Sequence, residues 1–210
     1  MQIPSKKECY QLICEMEMLD HIADHSIQVC RVALFLAEQM KAMNIYLNYD
    51  LIQASALLHD ITKTRSFKTG EHHALTGAQL LTSLGYPEVG DVIGQHVWVN
   101  DYPDSDPPNP AEIVNYADKR VLHDKVASLH DRMSYILEKY GKTPDRDKYL
   151  MEMWKRTELL ENKIFRWLSF SPDKLGDLLG EEDYTSEFLN YRKKIQNSES
   201  YAFEISASEK

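Results

Sequence analysis

The chain has 210 residues, with 24 Lys+Arg against 33 Asp+Glu and a net charge of −9. Hydrophobic residues at 43% and charged residues at 27% are the proportions of a globular chain, which excludes an intrinsically disordered one. The acidic balance excludes a broad nucleic-acid footprint, which needs a basic face, but is compatible with a local basic pocket for a small anion.

The segment Met1 to Lys7 lacks the apolar core of a signal peptide. The uninterrupted apolar run from Val32 to Ala37 is too short for a bilayer and is bracketed by Arg31 and Glu38. A cytoplasmic protein with no membrane partner is expected. Cys9, Cys14 and Cys30 show no CxxC spacing, which fits reduced structural thiols and leaves any metal to histidine and carboxylate.

Helical periodicity dominates. A first helix starts at Asp20 or Asp24, where Ile27, Cys30, Leu34 and Ala37 recur at three- and four-residue steps. Asn48 caps the next, through Leu51, Ala54, Leu57 and Leu58, which ends around His59-Asp60. Lys63 to Gly70 reads as a polar, basic loop. Glu71 to Leu84 is helical, with Leu75, Ala78 and Leu81 on one stripe and Gly85 at its C-terminal cap. Pro87 opens a helix in which Val89, Val92, Ile93 and His96 form an i, i+3, i+4, i+7 series.

Four prolines between Asn100 and Pro110 exclude a helix there and predict a loop or lid. Ala111 to Ser128 returns to helix, a further helix reaches Tyr140 before Gly141, and Thr143-Pro144 opens another carrying Trp154 and Trp167. Aromatic residues at helical spacing usually pack, so these two belong to a core or a dimer surface rather than to a base-stacking platform. A weaker helical stretch follows Ser171-Pro172, and residues after 197 are expected to be a disordered tail. The fold class is all-α.

Against this background His25, the pair His59-Asp60, His73, His96 and Asp118 each sit among apolar neighbours. His25 shares its face with Val29 and Val32, His73 with Gly77, Leu80 and Leu84, and Asp118 with Val114 and Val121. A single histidine on an apolar face is usually a hydrogen-bonded core residue. Several imidazoles and carboxylates facing one core are satisfied together by a divalent metal. His21, His123 and His130 are assigned structural roles.

This ordered set resembles the HD-domain superfamily of metal-dependent phosphohydrolases, over roughly residues 20 to 128. The matching stretches are Asp24-His25-Ser26, Leu57-Leu58-His59-Asp60-Ile61-Thr62-Lys63, His73 to Gly77, Gln95-His96 and Ala117-Asp118-Lys119. The second is similar to the family's LLHDIGK signature, with Thr62 in place of the glycine. His73 is preferred over the adjacent His72 because Gly77 completes an HxxxG element.

The resemblance implies an HD-domain helical bundle, placed at residues 1–140; beyond it a helical extension over 141–197 packed on that domain and a disordered tail at 198–210 are expected. It assigns His25, His59, Asp60 and Asp118 to a first metal. His73 and His96 match positions that hold a second, with Asp60 bridging. The full pattern is most similar to bacterial symmetric diadenosine tetraphosphate hydrolases, which implies a dinuclear iron site. Manganese, nickel, zinc and magnesium are the other ions compatible with it. Asp60 and Lys63 are the catalytic candidates, and Lys63, Arg65, His72 and Lys119 the substrate-binding ones.

The implied activity is hydrolysis of a phosphoester or phosphoanhydride in a small, nucleotide-like metabolite by a metal-activated water. Two alternatives stand beside it: a di-iron oxygenase of the inositol-oxygenase type, and a metal-binding regulatory module. The region after Tyr140 lies beyond the resemblance and either forms a homodimer interface or covers the pocket.

Overall fold

The computed structural model describes residues 2–100, 106–180, 184–195 and 197. The segment 101–105 of the proline-rich stretch and the tail expected at 198–210 lie outside the described residues. Helix α1 (Lys6–Glu15) had no counterpart in the hydropathy reading. Its signal is a capping box, in which Ser5 accepts from the Glu8 N–H while the Glu8 carboxylate accepts from the Ser5 N–H.

Helix α2 (Asp20–Ala42) runs through the centre of the molecule, burying Val29, Val32, Ala33 and Leu36. Helix α3 (Tyr49–Leu58) begins where the Asn48 side chain accepts from the Leu51 N–H, and ends on His59 as its C-cap. The stretch read as a basic loop is instead a short helix, α4 (Lys63–Thr69), closed by Gly70 at φ 70°. It has no buried residue, so it carries no hydrophobic periodicity to detect.

Helices α5 (His73–Ser83) and α6 (Pro87–Gly94) form a close pair. A Cβ at Gly90 would stand 2.7 Å from the Ala78 carbonyl oxygen, so the contact requires glycine. The buried stripe of α5 is Ala74, Gly77 and Leu81, whereas Leu75 and Leu84 are exposed. The stripe is therefore shifted from the one that hydropathy suggested.

Helix α7 (Pro110–Lys119) carries a second capping box, between Asn109 and Glu112, with Pro110 in its first turn. The predicted helix to Ser128 stops at Lys119 and gives way to a short hairpin, β1 (Val121–Leu122) and β2 (Lys125–Val126), paired antiparallel. The reason is local: His123 adopts φ 59°, which a helix does not allow. Arg120 then fixes the chain by donating from Nε to the Ala127 carbonyl and from Nη2 to the Pro172 carbonyl.

Helices α8 (Leu129–Tyr140) and α9 (Pro144–Phe165) follow, and the division expected at residue 140 falls in the turn between them. Leu129, Met133, Ile136, Leu150 and Met153 form a hydrophobic cluster of their own, distinct from the main core around α2. Beyond Pro172–Lys174, helix α10 (Leu175–Leu179) ends with its last carbonyls held by the buried Arg31 guanidinium. A final helical segment, 186–195, returns to α1, where Phe188 packs on Tyr10 with ring centroids 5.2 Å apart.

All-α is thus the observed class. None of the described helices is long and apolar enough to cross a membrane. None of Cys9, Cys14 and Cys30 is in a disulfide, and burial pushes the Cys9 and Cys30 thiols up to about 12.

Candidate metal centre

The fold brings the six residues singled out in the sequence into two adjoining groups. His25, His59 and Asp118 each offer a ligand atom within 4.8 Å of the others, as do Asp60, His73 and His96. They come from α2, the turn after α3, the start of α5, the turn after α6 and the end of α7. The His59-Asp60 turn is sealed from solvent. The turn bearing His96 is held by Asn115 of α7, whose Nδ2 donates to the carbonyls of Gln95 and His96 at 2.9 Å each.

Ring orientation follows from the backbone. Nδ1 of His25 lies 2.8 Å from the His123 carbonyl, Nδ1 of His59 2.8 Å from the Ala56 carbonyl, and Nδ1 of His96 2.6 Å from the Ile93 carbonyl. A carbonyl only accepts, so each Nδ1 carries a proton. In the neutral ring the Nε2 lone pair then points inward.

Those lone pairs, and Nε2 of His73, stand close to one another and to carboxylate oxygens. His25 Nε2 is 3.0 Å from Asp118 Oδ1, and His73 Nε2 and His96 Nε2 are 3.1 Å apart. Asp60 Oδ1 is 3.3 Å from His73 Nε2 and 3.5 Å from His96 Nε2. His59 Nε2 and Asp60 Oδ1 are buried and make no hydrogen bond among the described residues. Acceptors converging on acceptors are unfavourable unless a proton or a cation lies among them, and this imidazole and carboxylate donor set fits divalent metal.

Titration directions agree with that use at His25, His73 and His96, and run the other way at His59. Burial lowers His25, His73 and His96, offset in part by the carboxylates, and takes His73 to about 3. For His59, burial is outweighed by the Asp60 and Asp118 carboxylates, so its pKa is raised. Burial also opposes ionisation of the two aspartates. Lys63 and His59 overcome it at Asp60, and Lys119, His25 and Arg132 at Asp118, which leaves both carboxyls well below the usual range.

These groups open onto a cavity of about 450 Å³, walled on one side by the helices of the site and on the other by α8 and α9. Lys63 lines it, its Nζ donating to Asp60 Oδ2 at 2.7 Å. Lys119 also borders it, but its Nζ is committed to Asp118 Oδ2 at 2.7 Å and the His96 carbonyl at 2.8 Å.

Arg65 does not line the cavity. On α4 the residues that do are Lys63, Ser66 and Phe67, and Arg65 turns to solvent, pairing with Glu71 at 2.7 Å. His72 is likewise outside it, exposed at the N-cap of α5 with its ring stacked beyond that of His73. Two histidines given structural roles do border the cavity: His21, and His123 through whose carbonyl His25 is oriented. His130 stands on the surface, edge-on to Trp154.

Sequence reasoning missed the contribution of α8 and α9. Arg132, Tyr135, Lys139, Arg146 and Tyr149 all line the cavity. The i, i+3, i+7 spacing of the three on α8 shows that they share a face, but nothing local shows what that face meets.

A buried His/Asp cluster assembled from separate helices of a bundle is an arrangement that could hold divalent metal. The HD domain family matches residues 22–121, a span that contains all six clustered residues. That span is somewhat under half of the chain. An uncharacterized protein of Methanocaldococcus jannaschii is 30% identical over 69 residues, which is 33% of this chain and 40% of that protein. The matched part thus spans less than half of that relative. No solved structure gives a significant match.

Proposed function

We propose that the protein is a metal-dependent phosphohydrolase acting on a small nucleotide-like metabolite. The observation that carries this reading is the charge of the cavity. Lys63, Lys119, Arg132, Lys139 and Arg146 line it against the carboxylates of Asp60 and Asp118, in a chain whose net charge is −9. An excess of cations concentrated in one cleft of an acidic protein is suited to a multiply charged anion.

His25, His59 and Asp118 would hold one divalent ion and Asp60, His73 and His96 a second. Iron is the metal we put first; manganese, zinc and nickel suit the same imidazole and carboxylate donors. When bound, such ions lower the pKa of a water and polarise a phosphoryl oxygen. The protein's own residues do the remainder. The protonated Lys63 neutralises charge that develops on the phosphoryl group. The Nδ1 contacts keep three imidazoles in the ligating tautomer, and Tyr135, Tyr149 and Phe67 offer faces for a base. The same excess of positive charge favours this reading over an oxygenase acting on a neutral polyol.

The test begins with elemental analysis of protein purified without added metal, followed by an anaerobic screen of nucleotides for phosphate release. Metal in both triads and turnover without oxygen are expected. Failure to take up metal on reconstitution, or turnover that consumes oxygen, would overturn the proposal.

A further inference from the structure

Helix α8 lies outside the span of the HD-domain match, yet it turns a full face on the metal centre. Leu129, Met133 and Ile136 anchor it in its own cluster, and Arg132, Tyr135, Ile136 and Lys139 line the cavity at i, i+3, i+4 and i+7. Arg132 is the deepest cation of that face, with its side chain 13% exposed.

Its surroundings leave it under-used. The nearest carboxylate contact is Nη2 to Asp118 Oδ1 at 3.5 Å, too long for a good charge-assisted hydrogen bond. Asp118 is already engaged by Lys119 at 2.7 Å and His25 at 3.0 Å. The Arg132 Nε is buried and has no hydrogen-bond partner among the described residues. Lys63, another cation lining the cavity, is repelled by Arg132. Two like charges lining one cavity, one with an unused N–H, suit an anion between them.

We propose that Arg132 is a phosphate clamp, supplied by α8, that selects a terminal phosphoryl group over an internal phosphodiester. This rests on the phosphohydrolase reading and deepens it by naming the substrate class: a nucleotide ending in a phosphate dianion. A terminal phosphoryl group carries about two charges and three free oxygens, enough to engage the metal face, Lys63 and the guanidinium fork together. An internal diester has a single charge and two free oxygens, which leaves one of these partners unmatched.

The test is calorimetric titration of the purified, metal-containing protein with inorganic phosphate and with dimethyl phosphate. The wild type should bind phosphate at least about tenfold more tightly than the diester. R132A should weaken phosphate by about 10- to 100-fold, leave dimethyl phosphate nearly unchanged and retain the wild-type metal content. R132K, which keeps the charge and loses the fork, should recover part of the affinity.

Phosphate binding by R132A equal to wild type, or no preference for phosphate in the wild type, would overturn the clamp. If R132A does not fold, R132K decides: undiminished phosphate binding and selectivity there would also overturn it. Arg132-dependent phosphate binding by a protein that hydrolyses no phosphoester would sink the hydrolase reading and leave the clamp standing.

Discussion

Asp60 joins the two halves of the site. Its Oδ1 faces His73 and His96, while its Oδ2 lies 3.4 Å from His59 Nε2 and 2.7 Å from Lys63 Nζ. Removing it takes a donor from one triad and the neighbouring charge from the other. Asp60→Ala is expected to lose bound metal, read by elemental analysis, together with all turnover. Lys63→Ala should keep its metal and lose about 10²- to 10³-fold in kcat, since it removes only stabilisation of developing charge. Loss of metal in Lys63→Ala would contradict that role. Thr62, where the signature has glycine, is accommodated without strain: its φ is −102°, and its buried hydroxyl donates to the His73 carbonyl at 2.8 Å. It ties the turn after His59-Asp60 to the start of α5, so Thr62 adds a tether between the two groups of the cluster.

Among the elements, α7 and α9 are joined by an ion pair that solvent does not reach. Lys163 Nζ lies 2.8 Å from each oxygen of Glu112, and Glu112 also accepts from the Asn109 N–H that begins α7. One carboxylate therefore caps the helix bearing Asp118 and fixes α9 against it. Lys163→Met would leave that carboxylate buried and unpaired, and should cost about 3–5 kcal/mol in urea unfolding. Unchanged stability would mean that Glu112 finds another partner or a proton at no cost. The pair α5 and α6 is set differently, by close backbone approach at Gly90, and it brings His73 and His96 within reach of one another.

At the scale of the whole molecule, residues of both hydrophobic clusters line the cavity, and the segment 186–195 meets α1 away from it. Phe188, almost fully buried, packs on Tyr10 and ties the segment 186–195 to α1. Neither element lines the cavity. Phe188→Ala should lower stability by about 3–5 kcal/mol while the folded protein keeps its full metal content. Loss of metal from folded Phe188→Ala protein would show that this distant patch and the site are coupled.

The all-α class, the caps at Asn48 and Thr143, and the six clustered residues were legible in the sequence. Each rests on local chemistry: helical period, a side-chain oxygen at an N-terminus, or polar residues set among apolar ones. Helix α4 and the hairpin after α7 were not legible, because one buries nothing and the other turns on a single left-handed backbone at His123. The roles of Arg65, Lys119 and Arg132 were decided by tertiary structure alone. A basic side chain looks the same in sequence whether it faces water, braces a carboxylate or waits in a cavity. Only packing α8 and α9 over the metal centre separates the three, because burial and the nearest partner determine what a charge can do.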